Sequence, residues 1–195
     1  KAWQASQGSH ACEIDIEAFE QKVENGFDEM TLGLLWNYAA LAYMLATDRW
    51  YTGVRKRYGE AVAQEREKDV WIDRGAAEYD LQIGKEAMGV TGDDVESLLR
   101  SFQFAPGEVG ILDVELSMQG PKHGLLTHRA CPALDRFEHY DEQRLKHCCD
   151  ICIAAMPISG EMLNTKITCK PLKLPPRRDA NDIACQWEYR LPDQS

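Results

Sequence analysis

The sequence lacks the short motifs on which several large enzyme classes depend. Its 195 residues contain no G-x-x-x-x-G-K-[ST], no G-x-G-x-x-G, no G-x-S-x-G and no H-E-x-x-H. The first three motifs position a nucleotide phosphate, a dinucleotide and a serine nucleophile. Their absence argues against kinases, Rossmann dehydrogenases and serine hydrolases.

Positive charge and long apolar runs are also scarce. Lys and Arg number 22 against 32 Asp and Glu, which gives a formal net charge of −10 and argues against a nucleic-acid backbone or an anionic membrane surface as a partner. The longest apolar stretch, residues 32–46, is interrupted by Asn37 and is shorter than the roughly 18 residues that a membrane span needs. We therefore expect a small-molecule ligand, with no nucleic acid and no membrane as partners.

Secretion features are missing as well. The first residues show no basic segment followed by an apolar one, as a signal peptide would. The cysteine count is seven, and an odd count is not typical of a secreted disulfide framework. These features predict a reduced, cytoplasmic protein.

Apolar residues recur at helical spacing through the first half of the chain. They predict helices over residues 13–25, 31–58 and 60–88, with Gly59 as a break, and then a short helix through Leu99. Two long amphipathic helices can present a second apolar face, so we expect a homo-oligomer or a subunit of a larger complex.

The pattern changes after residue 106. Residues 111–118 alternate apolar and polar side chains, as a half-buried strand does, and similar segments predict strands at 125–130, 165–170 and 183–190. A cysteine-bearing helix over 141–156, ending before Pro157, precedes the last two strands. We therefore predict an α+β fold in which a helical part, 1–106, packs on a small antiparallel sheet of about four strands within 107–195, as one compact unit.

Six of the seven cysteines lie in this second part, at positions 131, 148, 149, 152, 169 and 185. In a helix, Cys149 and Cys152 share one face at C-x-x-C spacing, and His128 precedes Cys131 at H-x-x-C spacing. Thiolates and imidazoles grouped in this way bind zinc in a tetrahedral set, and cysteines alone can hold an iron–sulfur cluster. We predict metal ligands at Cys131, Cys149, Cys152 and Cys185.

Two other interpretations of the cysteines stay open. Cysteine is often buried as a small apolar residue, and the isoleucines and alanines near Cys152 are typical of a core-facing helix. A catalytic or redox thiol is the other interpretation. For that chemistry His128 is the best candidate for a base, and Asp150 for a group that orients a histidine or binds a hard metal.

The order of these residues resembles the family of L-2-amino-thiazoline-4-carboxylic acid hydrolase-like proteins. The resemblance rests on Cys131-Pro132 at a strand end, on Cys148-Cys149-Asp150 in the following helix, and on the closing segment Asp182-Ile183-Ala184-Cys185-Gln186-Trp187. Residues 58–61 and 70–71 also resemble the helical region of that family. The resemblance implies a divalent metal and the opening of a thiazoline ring by carbon–nitrogen hydrolysis. It places the site at Cys131, Cys149 and Cys185, with a thiolate as nucleophile or metal ligand.

This chain departs from the family pattern at two places. Where the family tends to have an Asp three residues beyond the helix cysteine, this chain has Cys152, and the family's basic-plus-Thr strand becomes Lys166-Ile167-Thr168-Cys169. Additional thiol ligands favour zinc or iron over manganese as the divalent metal.

Residues and resemblance together predict a hydrolase-like protein that acts on a small carboxylate-bearing substrate. We predict Cys131, Cys149, His128 and Asp150 as its catalytic residues, with the substrate carboxylate paired to Arg129, Arg136 or Arg178. The alternative is a non-catalytic accessory subunit, or a ligand- or metal-binding module of a larger enzyme system.

Overall fold

The computed structural model describes Gln21 and residues 25–105, 113–179 and 181–192. Of the predicted helix at 13–25, only residues 21 and 25 are described, and the rest lies outside the described residues. The chain divides into two compact units, Lys1–Trp36 and Asn37–Ser195, and the boundary falls within the first helix listed below. In the first unit, the structure describes mainly the beginning of that helix.

Six helices and four strands lie within the described ranges, which confirms the α+β class. The helices are α1 (Glu29–Tyr58), α2 (Glu60–Trp71), α3 (Arg74–Ala87), α4 (Val95–Phe102), α5 (Pro132–Phe137) and α6 (Glu142–Leu163). The strands are β1 (Asp113–Gly120), β2 (His123–Ala130), β3 (Thr168–Lys173) and β4 (Cys185–Arg190). None of the described helices is long and apolar enough to cross a membrane.

Local signals set several of the helix ends. Gly59 separates α1 from α2 with φ of 89°, a conformation that glycine adopts without a steric penalty. Asp94 begins α4 by accepting a hydrogen bond from the Ser97 backbone N–H at 2.8 Å, as an N-cap does. The single helix predicted at 60–88 is in fact two helices, because the chain turns at residues 72–73 between α2 and α3.

The prediction that the cysteine-bearing helix ends at Pro157 is wrong. Helix α6 continues through Pro157 to Leu163, although a proline inside a helix removes one hydrogen bond and costs about 3 kcal/mol. Buried residues beyond the proline explain the continuation: Ile158 is in the core, and an added Cβ at Gly160 would lie 3.1 Å from Ile167. Tertiary packing of this last part therefore outweighs the local cost.

The four strands form one antiparallel sheet in the order β1-β2-β4-β3. In its centre, Gly124 pairs with Tyr189, Leu126 with Trp187, and His128 with Cys185. Directly opposite residues project to the same face of a sheet, so these six share one face. This inner face packs on α4 and α6 around a core of Val95, Leu98, Leu99, Phe102, Leu126, Ile167, Trp187 and Tyr189.

Helices α3 and α4 approach closely at a glycine. Gly84 of α3 is buried, and an added Cβ there would lie 2.5 Å from the backbone oxygen of Ser101 in α4. Backbone atoms cannot rotate away as a side-chain end can, so this contact requires a residue without a Cβ.

We expect Gly84→Ala to lower the free energy of unfolding by about 1–3 kcal/mol, because the two helices must separate to admit the methyl group. The matched control is Gly53→Ala in α1, where nothing lies within 4 Å of the added Cβ. That change should raise stability by up to about 1 kcal/mol, since alanine favours a helix. Urea unfolding measures the free energy of unfolding of each variant. Changes of equal size and the same sign in the two variants would contradict the close contact between Gly84 and the Ser101 backbone.

Candidate functional site

The sheet places a histidine directly against a cysteine. Cys185 begins β4 opposite His128 of β2, and the His128 Nδ1 lies 2.9 Å from the Cys185 Sγ. Trp187, two residues along β4 and on the same face, donates its indole Nε1–H to the same sulfur at 3.3 Å. His128 is buried while Cys185 is half-buried. An imidazole and an N–H donor at one sulfur are the surroundings that favour a thiolate.

Three further cysteines lie near this pair. Cys131 immediately precedes α5, and α6 carries Cys148 and Cys149. Burial raises the pKa of Cys131 and of Cys149, and the nearby charge of Cys185 contributes to both increases. Burial also raises the pKa of Cys148 to about 12. Cys185 is thus close enough to Cys131 and to Cys149 to affect the pKa of each. Cys131, Cys148 and Cys149 are thiols, not thiolates, at neutral pH.

Other predicted residues are placed away from the His128–Cys185 pair or on the surface. Cys152 is exposed on α6. Asp150 accepts a hydrogen bond from Lys146 Nζ at 2.7 Å, one turn earlier on α6, in an exposed ion pair. Cys169 of β3 packs against the core, and burial raises its pKa to about 12.

The predicted metal ligands do not form a recognisable centre. Within residues 25–105, 113–179 and 181–192, no group of three or more His, Cys, Asp or Glu side chains is arranged to hold a metal ion. Metal binding by Cys131, Cys149, Cys152 and Cys185 therefore stays a prediction.

The three arginines predicted to bind a substrate carboxylate each pair with an acidic side chain of the protein. Arg129 pairs with Glu115 across the β1–β2 hairpin. Arg136 lies 2.9 Å from Asp48, and Arg178 lies 3.1 Å from Asp182. A carboxylate ligand would have to share the guanidinium with that acidic side chain.

A buried ionic cluster between helices was missed by the sequence analysis. Arg144 of α6 donates two hydrogen bonds to Glu67 of α2, of which the Nη2–Oε1 bond measures 2.6 Å. His147, one turn along α6, places its Nε2 3.0 Å from Glu67 Oε2. The Arg144 guanidinium lies 3.5 Å above the ring of Tyr51 in α1, whose hydroxyl donates to Glu60. We call Tyr51, Glu67, Arg144 and His147 the buried ionic cluster.

Burial determines the electrostatics of this cluster. Glu67 and Arg144 are only 4% and 5% exposed. Because water hardly reaches them, each charge is stabilised by the other. Burial alone would lower the pKa of Arg144, but its hydrogen bonds and ion pair with Glu67 raise it. Burial lowers the pKa of His147, in spite of the nearby Glu67, so His147 is neutral at pH 7 and donates through Nε2–H.

One sequence signal could have identified Glu67. It lies within the run Glu65-Arg66-Glu67-Lys68-Asp69, which is typical of a solvated helix face. Yet Ala63, four residues earlier, and Val70, three residues later, are apolar, and residues three or four apart share a helix face. Glu67 is therefore on the apolar side, where a charge needs a buried partner.

Comparison with protein-family models, with curated proteins and with solved structures finds no match to this chain. The resemblance to the thiazoline-carboxylate hydrolase-like proteins therefore rests on the residues quoted for it. The site is described from its own geometry.

We expect Glu67→Gln to lower the free energy of unfolding by about 3–5 kcal/mol, because it leaves the buried Arg144 without a counter-charge. Glu65→Gln is the matched control, since it removes the same charge from an exposed position two residues earlier in α2. We expect the control to change stability by less than about 0.5 kcal/mol. Chemical denaturation of both variants measures the difference, and equal stabilities would refute the buried pairing.

Proposed function

We propose that this chain is a hydrolase-like protein that cleaves a carbon–nitrogen bond in a small carboxylate-bearing substrate, with Cys185 as its nucleophile. The observation that carries the proposal is the 2.9 Å contact between His128 Nδ1 and Cys185 Sγ. The substrate class follows from the resemblance to the thiazoline-carboxylate hydrolase-like proteins. The proposal retains His128 as a catalytic residue and takes Cys185 as the nucleophile in place of Cys131 or Cys149.

The choice of Cys185 rests on a contrast between thiols. Burial raises the pKa of Cys131, Cys148 and Cys149, which keeps them protonated and weakly nucleophilic. Cys185 has a histidine that can take its proton and an indole N–H that stabilises the sulfur as an anion. A base at the sulfur and an N–H donor to it are the two features that activate a cysteine nucleophile.

The proposed reaction begins with the Cys185 proton on His128. The thiolate forms a bond to the carbon of a C=N group, the π electron pair moves to nitrogen, and that nitrogen takes the proton from His128. The carbon then forms a double bond to its second nitrogen as the electron pair of the first carbon–nitrogen bond goes to the leaving amine, which takes a proton from that second nitrogen. Water adds across the new C=N bond, and as the carbonyl forms, the hydroxyl proton goes to His128 and the carbon–sulfur electron pair returns to Sγ, so that one water is consumed for each carbon–nitrogen bond broken.

We expect Cys185→Ala to lower kcat/KM for 2-amino-thiazoline-4-carboxylate by at least about a thousandfold, because it removes the nucleophile. His128→Gln should lower it by about 10²–10⁴-fold, the contribution of a positioned acid–base group. Cys169→Ala is the control, since that thiol packs in the core away from the His128 contact, and its turnover should equal that of the wild type.

Labelling with iodoacetamide at pH 7 gives a second readout that does not depend on the substrate. Mass spectrometry should find Cys185 modified faster than Cys148 and Cys169, and His128→Gln should abolish that preference. Unchanged turnover in Cys185→Ala would contradict the proposal. A wild type without turnover whose Cys185 is labelled no faster than Cys169 would contradict it as well.

An accessory subunit of a larger enzyme system is the second candidate, and one observation favours it. Several apolar side chains on α1 are exposed: Tyr38 by 71%, Leu41 by 56% and Leu45 by 44%. They follow one another at helical spacing and so form one stripe. Contiguous exposed apolar surface marks an interaction site.

If this stripe joins two copies of the chain, the wild type should have a mass above that of one chain in size-exclusion chromatography with light scattering. Leu41→Glu or Leu45→Glu should then produce the monomer, because a charge in an apolar interface must be desolvated. Leu172→Glu in β3, at a side chain 47% exposed, is the control and should leave the mass unchanged. A monomeric wild type that hydrolyses the thiazoline would contradict the accessory candidate.

A further inference from the structure

Helix α1 has two sides of different character. Ala40 and Tyr51 are its buried residues and mark the side that faces the core. A second side is exposed along its whole length, at Tyr38, Leu41, Leu45, Arg49, Thr52 and Lys56. These six residues follow one another at spacings of three and four, so they lie on one side of the helix. We call them the outer face of α1.

The outer face changes from apolar to basic along the helix. Its first part consists of Tyr38, Leu41 and Leu45, and its last part carries two bases, Arg49 and Lys56. From the first residue to the last, the face covers about 27 Å of helix at 1.5 Å per residue. Contiguous exposed apolar surface marks an interaction site, and bases beside it indicate the sign of the charge that a partner carries there.

The two bases are not neutralised by the part of the chain that the structure describes. In the described ranges, no ion pair joins Arg49 or Lys56 to an acidic side chain. The only acid among residues 37–58 is Asp48, which lies 2.9 Å from Arg136 of α5. In a chain with a net charge of −10, two unpaired bases in line with an apolar patch indicate a partner that brings its own acidic groups.

The spacing of the outer face indicates a helix as the partner segment. Helices pack by setting side chains at three- and four-residue spacings into the grooves of the other helix, and an amphipathic helix binds through anchors at that spacing. An anionic membrane also attracts bases beside apolar side chains. However, the net charge of −10 opposes an anionic surface, and the other side of α1 is already packed on protein at Ala40 and Tyr51. A protein helix is therefore the better match.

We propose that the outer face of α1 binds an amphipathic helix of a partner protein, with apolar side chains over the apolar part and carboxylates opposite Arg49 and Lys56. The apolar side chains of both helices leave water on binding, and each carboxylate gains a charge-assisted hydrogen bond. The proposal rests on the accessory candidate above, for which it specifies the chemistry of the partner, and it does not involve Cys185.

Two synthetic helical peptides test the proposal by fluorescence anisotropy with the full chain, at about 0.15 M salt to suppress weak surface attraction. Both peptides carry leucines at three- and four-residue spacings, followed at the same spacings by glutamates in one peptide and by lysines in the other. We expect saturable binding of the acidic peptide, at least about tenfold tighter than that of the basic one, because like charges would oppose each other at Arg49 and Lys56. Arg49→Glu combined with Lys56→Glu should reverse the preference, a gain of binding that an unfolded chain would not show.

Lys68→Glu in α2 is the matched control for Lys56→Glu. Both residues are exposed bases in the last turn of a helix, so the two changes alter the net charge and a helix end in the same way. Lys68 lies outside the outer face. We expect Lys56→Glu to weaken binding of the acidic peptide about tenfold, and Lys68→Glu to change it by less than about twofold, since a distant exposed charge is screened by salt.

Equal affinity for the two peptides would overturn the proposal, as would equal weakening by Lys56→Glu and Lys68→Glu. A wild-type dimer that Leu41→Glu dissociates would also overturn it, because a second copy of the chain would then cover the face. That result would leave the outer face an interaction site and refute the acidic partner alone. Cosedimentation with vesicles of anionic lipid, without binding of the acidic peptide, would assign the face to a membrane and refute the partner helix.

Discussion

The ion pair between Glu67 and Arg144 is the interaction on which the arrangement of the helices depends. It joins α2 to α6, and the contact of Arg144 with Tyr51 adds α1. Two charges removed from water cost several kcal/mol each, and only mutual hydrogen bonds of good geometry offset that cost. The two parallel bonds from the guanidinium to the carboxylate meet this requirement in one relative position of the helices. An apolar contact would allow the helices to slide, whereas this pair fixes their position.

Because Arg144 and His147 lie on the same face of α6, the ion pair also fixes the rotation of that helix. Cys148 and Cys149 follow directly. Cys131 contributes to the raised pKa of both, and Cys185 to that of Cys149. Further along α6, the Tyr189 hydroxyl donates to the Met156 carbonyl at 3.0 Å and holds α6 to β4. The cysteine-bearing helix is therefore held at one end by a charge pair and nearer its middle by the sheet.

Sequence periodicity predicted α1, the strands β1 and β2 and the α+β class, because those features depend on neighbours along the chain. Sequence periodicity gave wrong or incomplete predictions where the structure depends on contacts between residues far apart in the chain. Helix α6 passes Pro157 because Ile158 and Gly160 pack on the core. His128 was selected for its spacing to Cys131, but it contacts Cys185, 57 residues away, and that pairing depends on strand register. Glu67 and Arg144 are 77 residues apart, and no local pattern indicates their contact.

The buried ion pair also affects the pKa of a nearby thiol, Cys148. Arg144 lies near Cys148, and its positive charge lowers the pKa of that thiol, which on its own would favour a reactive thiolate. The negative charge of Glu67 opposes this effect, and burial exceeds both, so the pKa of Cys148 is about 12. Burial thus keeps Cys148 protonated in spite of the adjacent Arg144. Cys185 lies on the sheet, where register supplies a histidine and an indole N–H directly. The proposed thiol chemistry therefore depends on strand pairing and not on the C-x-x-C spacing of α6.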